Sequence, residues 1–285
     1  MNGLKNYGEY IQSLVNLQSQ AMSIPKKPFA KATKGSGQQK IAIFSPHPDD
    51  ECINGGLALR LKNENNCRVT NIALTLGSYL PRQKQRLKEL EFACDILGFD
   101  LWIPDADGFS SLQLKHRQAN SQEWQSQVTT IANYLYQENP DGVFFPHKND
   151  FNPTHIASYY LLSDAIDLLN QRGDHMHMHL FETEFWHMME NPNLMVCLPE
   201  HVVAQLTEAL AAHEGEIARN PYHLRLPFRL MDNITRGSEV VQQPGAQAIE
   251  ASFAAIYRHR LCQGGQIEPL AHAQPVILPN SPITL

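Results

Sequence analysis

The stretch KIAIFSPHPDDECINGG, residues 40–56, decides the reading of this chain. Ile41-Ala42-Ile43-Phe44 is a short apolar run that stops at the polar string SPHPDDE, the pattern of a strand buried on both faces that ends in a loop. Gly55-Gly56 then precede a helical stretch at 57–63, and VTNIALTL (69–76) is a second strand. Leu87, Leu90, Cys94 and Leu97 fall on one face of a helix that Gly98 stops. A short strand at 101–103 follows, and Trp124, Val128, Ile131 and Leu135 keep helical spacing over 121–138. Asn139-Pro140-Asp141-Gly142 turns the chain into a strand at 143–145, then come a helix near 155–170 and a strand at 177–186. This repeated alternation predicts an α/β fold, a mostly parallel sheet with helices on both faces. Beyond Pro199 the pattern gives a helix over 200–218 and then a less periodic tail rich in Arg, His, Gly and Pro. Upstream, Ile11, Leu14, Val15 and Leu17 mark a short amphipathic helix, and 23–40 reads as an extended arm. With no internal repeat and no clean linker, the expected organisation is an N-terminal helix and arm (1–39) and a single domain (40–285).

Composition narrows the function. The 285 residues carry 23 Lys+Arg against 29 Asp+Glu, a net charge of −6, which argues against a nucleic-acid or anionic-membrane binder. No apolar run approaches the ~20 residues that span a bilayer. The start has no apolar signal-peptide core, and the five cysteines form no CxxC pair, so the chain reads as soluble and cytoplasmic without a disulfide framework. The unusual count is 13 histidines, a pointer toward metal chemistry that only spacing can locate.

Two polar clusters follow predicted strands, where open α/β sheets bind ligands. One is His47-Pro48-Asp49-Asp50-Glu51; the other runs from Pro146 to His155. Three adjacent acids beside a histidine repel one another unless a cation compensates them. His47 and Asp50, three apart in a tight turn, can point at one metal, and His155 can close the triangle. Two histidines and one aspartate leave a position open for water, as in catalytic zinc sites. Asp49 then stands beside that water as a general base. The alternative for the same string is a helix-capping turn with solvated acids.

SPHPDDE with Gly55-Gly56 resembles the signature of the LmbE-like/PIG-L family of zinc-dependent de-N-acetylases. Thr75-Leu76-Gly77, the helix with Arg86, Glu89, Ala93 and Leu97-Gly98, the turn Asp105-Ala106-Asp107-Gly108 and the segment Pro140–His155 are similar to further family elements. The resemblance implies a Rossmann-like three-layer αβα sandwich that removes an N-acetyl group from an N-acetylglucosamine-like sugar or small glycoconjugate. It implies His47, Asp50 and His155 as ligands of one Zn²⁺, although Fe²⁺ suits similar donors. It also implies Asp49 as the base, Arg86 as a substrate contact, and Asp107 as a weaker one. For Arg86 the plain alternative is a surface pair with Glu89. The implied partners are small molecules, with no nucleic acid and no membrane, and a homo-oligomer is left open.

One cluster departs from the family pattern of H-x-D-H or H-x-N-H. Asn152 stands where the first histidine would polarise the acyl carbonyl, and Thr154 stands where the acid or amide would be. An Asn amide can donate to an oxyanion but cannot serve as an acid. Thr154 can still cap the next helix. His147 and Asp150 lie in the same loop and could substitute in space, His147 as a catalytic group. His175, His177 and His179 alternate along the predicted strand and share a face. Glu182, Glu184 and His187 reach toward the site mouth, and Arg219–Arg225, with Tyr222, could line a sugar pocket. The competing functions are a hydrolase of another small amide and a sugar-binding protein that has lost turnover. No G-x-G-x-x-G follows the first strand, which disfavours a nucleotide-binding fold.

Overall fold

The computed structural model describes residues 4–24 and 30–285. The part of the expected arm at 25–29 lies outside the described residues. In chain order the elements begin with α1 (Tyr7–Ala21), β1 (Lys40–Ser45), α2 (Asp50–Asn54), α3 (Gly56–Asn65), β2 (Arg68–Ala73), α4 (Leu80–Leu97) and β3 (Asp100–Trp102). They continue with α5 (Leu114–Gln118), α6 (Gln122–Glu138), β4 (Gly142–Pro146), α7 (Pro153–Arg172), β5 (Met178–Thr183) and β6 (Leu194–Cys197). The last are α8 (Glu200–Ala211), α9 (Glu214–Ile217), α10 (Tyr222–Gly237), a π-turn at Ser238–Gln242, β7 (Ala254–Gln263), β8 (Gln266–Pro269) and β9 (Val276–Ile277).

The apolar run of β1 explains the layering. Ile41 and Ile43 point to one face of the sheet, where they meet α3, α4, α8 and α10. Ala42 and Phe44 point to the other, against α6 and α7. A strand covered on both faces has no use for alternation with polar residues, so it reads as a continuous apolar run. The fold is thus α/β with three layers, as expected. The sheet runs β3-β2-β1-β4-β5-β7-β6-β9, with β8 paired to β7. From β3 to β5 every pairing is parallel. Strands β2 and β4 flank β1, so strand order switches direction between β1 and β4, and their carboxyl ends open the crevice where α/β sheets bind ligands.

The expectations fail in the last third. The strand expected at 177–186 ends at Thr183, and the helix expected over 200–218 breaks between α8 and α9. The tail is not irregular. It supplies α10, which buries Leu226, Leu230 and Ile234 at fourfold spacing, and β7, which inserts antiparallel between β5 and β6. Pro227 inside α10 and the arginines of β7 hid both patterns. Helix α1 forms as expected but buries no residue. The C-terminal segment is tied back by Arg60, whose fully buried guanidinium donates to the carbonyls of Cys197, Leu278, Pro279 and Ser281 while pairing with Glu64. No described helix is long and apolar enough to cross a membrane.

The histidines at 175, 177 and 179 do not act together, because β5 begins only at Met178. His179 instead meets His259 of β7, Nδ1 to Nε2 at 2.8 Å, and His259 meets His272, Nδ1 to Nε2 at 3.0 Å. Burial and the two flanking imidazoles push His259 down to about 3. Because the unfolded chain protonates this ring near pH ~6.5, its contribution to stability is complete above that pH and is lost as pH falls toward 3. At pH 5 the loss is about 2 kcal/mol, or about 4–8 °C in Tm. The His259→Gln variant should therefore lose less Tm between pH 7 and pH 5 than the wild type; equal losses would show that His259 does not drive this acid sensitivity.

Candidate metal and active site

The loop after β1 is braced from below. The Thr75 hydroxyl donates to the Pro46 carbonyl at 2.7 Å and accepts the Gly77 N–H at 3.1 Å, so the T-x-G segment holds the start of the HPDDE loop. Asp49 then takes a left-handed backbone, φ 112, which an L side chain adopts only when its surroundings compel it. Its N–H is held by Glu51 Oε2 at 3.0 Å. Glu51 is itself fully buried, with Oε1 at 2.7 Å from His213 Nε2 and 3.2 Å from the Cys52 thiol. A carboxylate only accepts, so His213 presents Nε2–H to it. Glu51, Cys52 and His213 have donor atoms close enough to hold an ion. Those atoms already satisfy one another, however, and they support the Asp49 backbone.

Directly above, His47 Nδ1 lies 3.2 Å from His155 Nε2, and Asp50 Oδ2 lies 3.4 Å from the first and 3.5 Å from the second. Tetrahedral coordination at zinc-to-nitrogen distances near 2.05 Å separates two ligand atoms by about 3.3 Å. The donor set therefore fits a metal ion. On the far side of the ring, His155 Nδ1 has no well-aligned hydrogen-bond partner. That nitrogen faces Asp150 Oδ1 at 3.4 Å, the arrangement in which a carboxylate orients a ligating imidazole.

Electrostatics follow the geometry. Burial pushes the Asp49 carboxyl well up, and the charges of Asp50 and Glu51 add to it. Burial opposes ionisation of Asp50 as well, but His155 and His47 outweigh it and hold Asp50 below its ordinary value. Asp150 is held low in the same way, burial being outweighed by His155 and by the N–H groups of Asn152 and Trp186. His155 is raised because Asp50 and Asp150 outweigh its burial.

The other expected residues divide. Arg86 does not pair with Glu89. Its Nη2 donates to the Pro48 carbonyl at 3.0 Å and its Nη1 lies 3.7 Å from Glu216, and it reaches there across Gly77, where a Cβ would fall 2.3 Å from Nη1. Asn152 is the N-cap of α7, its Oδ1 accepting the Thr154 N–H at 2.8 Å, so the cap is Asn152 and not Thr154. His147 is buried with Nε2 2.9 Å from the His187 carbonyl, which fixes its proton on Nε2 and ties down the following loop. Asp107 stands exposed on a turn with left-handed residues at Asp105 and Ala106. Glu182 pairs with Arg260, and Glu184 pairs with Arg236. His213 carried no signal in the sequence, because 162 positions separate it from Glu51.

The family model for GlcNAc-PI de-N-acetylase, PIG-L, matches residues 42–166, the span that holds His47, Asp50 and His155. The match covers less than half of the chain. No curated protein matches the chain. Among solved structures, the chain is similar to the conserved protein TT1542 from Thermus thermophilus, at 19% identity and TM-score 0.56 over 86% of this chain and 99% of that one. It is also similar to N,N'-diacetylchitobiose deacetylase from Pyrococcus horikoshii, at 16% identity and TM-score 0.55 over 91% and 94%. A third likeness is to GalB, the 4-carboxy-2-hydroxymuconate hydratase from Pseudomonas putida KT2440, at 15% identity and TM-score 0.57 over 78% and 96%. These likenesses concern the fold, and a deacetylase and a hydratase share it.

Two outcomes test the site. Asp150→Asn should weaken zinc about 10–100-fold in a chelator competition, because His155 loses its orienting carboxylate; unchanged affinity would remove Asp150 from the site. Glu51→Ala should destabilise the fold by about 1–3 kcal/mol in urea unfolding, since the Asp49 N–H and His213 lose their buried acceptor.

Proposed function

We propose that this protein is a metal-dependent hydrolase that removes the N-acetyl group from an N-acetylglucosamine-like sugar or small glycoconjugate, with Zn²⁺ as the metal. The single observation that carries the proposal is the triangle of His47, Asp50 and His155 with the buried carboxylate of Asp49 beside it. The PIG-L match supports the reaction class, and among proteins of like shape the deacetylase from Pyrococcus horikoshii acts on a diacetylated chitobiose.

His47, Asp50 and His155 would hold a divalent ion, which would supply Lewis acidity and lower the pKa of water. Asp49 takes a proton from the attacking water and later gives it back, the role of a buried carboxylate beside the ligand triangle. Water oxygen bonds to the acyl carbon, the C–N bond breaks, and Asp49 returns its proton to the amine, so the products are acetate and the free amino sugar. Arg86 sits on the Asp49 side of the crevice, where it contacts substrate hydroxyls. With Oδ1 committed to the α7 cap, Asn152 has only its Nδ2 hydrogens to offer a developing oxyanion. His147 contributes by holding the 184–189 loop. Because Asn152 is a neutral donor and not an imidazole, a second reading, hydrolysis of another small amide, is kept.

The test is acetate release from N-acetylglucosamine derivatives by zinc-loaded protein, with Asp49→Asn as control. The variant should lose about 10²–10⁴-fold in kcat while retaining its zinc. Release equal to that of the variant across a panel of acetylated sugars and simple amides would sink the hydrolase reading.

A further inference from the structure

Between β5 and β6, residues 184–189 form no regular element, yet several of their polar groups are held. The Glu184 carboxylate pairs with Arg236 and accepts the Met189 N–H at 2.7 Å, and its carbonyl accepts from Arg229. The His187 carbonyl is bound by His147 at 2.9 Å. Trp186 donates its backbone N–H to Asp150 Oδ2 at 3.1 Å, the same carboxylate whose other oxygen faces His155. Fastened at these points, the loop turns Phe185 inward, edge-on to the His155 ring with centroids 4.3 Å apart. The same conformation turns Trp186 outward, leaving it 53% exposed beside the metal-ligating triangle.

Tyr222, at the start of α10, meets Trp186 with ring centroids 5.7 Å apart and planes 58° inclined. Burial raises the Tyr222 hydroxyl, and the charges of Asp49 and Glu216 add to the rise. Polar groups border the pair. Glu216 lies 3.2 Å from Arg82, 3.7 Å from Arg86 and 3.3 Å from Arg219. A large aromatic ring fixed in solvent by buried bonds does not contribute to the core and gains its free energy only when something covers it.

We infer that Trp186 and Tyr222 form a stacking platform for the pyranose ring of the substrate and set the preference for a ring-bearing acetamide over an acyclic one. A pyranose presents a face of C–H groups to aromatic rings and a rim of hydroxyls to charged partners, and the crevice offers these two surfaces side by side. The inference rests on the reading of an acetylated amino sugar as substrate, but binding is measured separately from turnover.

The experiment is isothermal calorimetry of zinc-loaded protein with methyl N-acetyl-glucosaminide, beside acetate release from that glycoside and from N-ethylacetamide. Trp186→Ala should weaken glycoside binding about tenfold and raise KM by a like factor, with kcat and thermal stability near wild type. Trp186→Phe should restore most of the affinity, and neither change should alter release from N-ethylacetamide. Equal glycoside affinity in wild type and Trp186→Ala, no glycoside binding by the wild type, or an equal loss on both substrates would overturn the platform. Trp186-dependent binding without acetate release would uphold the platform and refute the hydrolase, whereas release with unchanged KM in Trp186→Ala would do the reverse.

Discussion

Backbone pairing of Ile41 with Gly142, Ala42 with Val143 and Ile43 with Phe144 holds β1 parallel to β4, and the two polar loops of the site leave from that ladder. Parallel neighbours end on the same side of the sheet, so the loops that leave them start side by side. His47 and His155, 108 positions apart, thereby meet at 3.2 Å. The ladder itself depends on burial of both faces of β1. Its apolar side chains enter two separate cores, and no one-residue slip of register could satisfy both.

The three successive acids after β1 show how position divides like residues among roles. Asp50 starts α2 and turns its carboxylate to two histidines, which keep it charged. Glu51, one residue on, points down into the protein and is satisfied by His213, Cys52 and the Asp49 N–H. Asp49 is left between them, with a left-handed backbone and a carboxyl raised by burial and by its two neighbours. The strain at Asp49 and the buried support from Glu51 belong to one arrangement: the support holds the backbone, and the backbone directs the side chain.

Support for the second ligand loop comes from the distant half of the chain. Asp150 binds the Asn152 N–H, faces His155 and receives the Trp186 N–H, so it couples the start of α7 to the loop after β5. That loop is in turn fastened to α10 through Arg229 and Arg236. The acid that is missing at Thr154 in the local pattern is thus supplied from five positions before His155. Hydrogen-bond geometry, not sequence alignment, identifies the replacement.

Much was legible in the residues themselves. The apolar run of β1, the helix with Leu87, Leu90, Cys94 and Leu97, and the glycine that ends α4 specify local structure by burial period and by a left-handed cap. Both are properties of neighbouring residues. The HPDDE string pointed to a metal for the same reason: adjacent like charges conflict wherever they are placed. The β7 insertion, the chain His179–His259–His272, the pairing of Arg86 with Glu216 instead of Glu89, and the exposure of Trp186 were not legible. Each joins groups far apart in sequence, and such contacts are decided by how twisted sheet and helices pack. Local chemistry in the sequence determined which residues could hold a metal and which strands are buried; only the tertiary structure decided which acid faces His155 and which side chains surround the crevice, because those choices are made across the sheet and not along the chain.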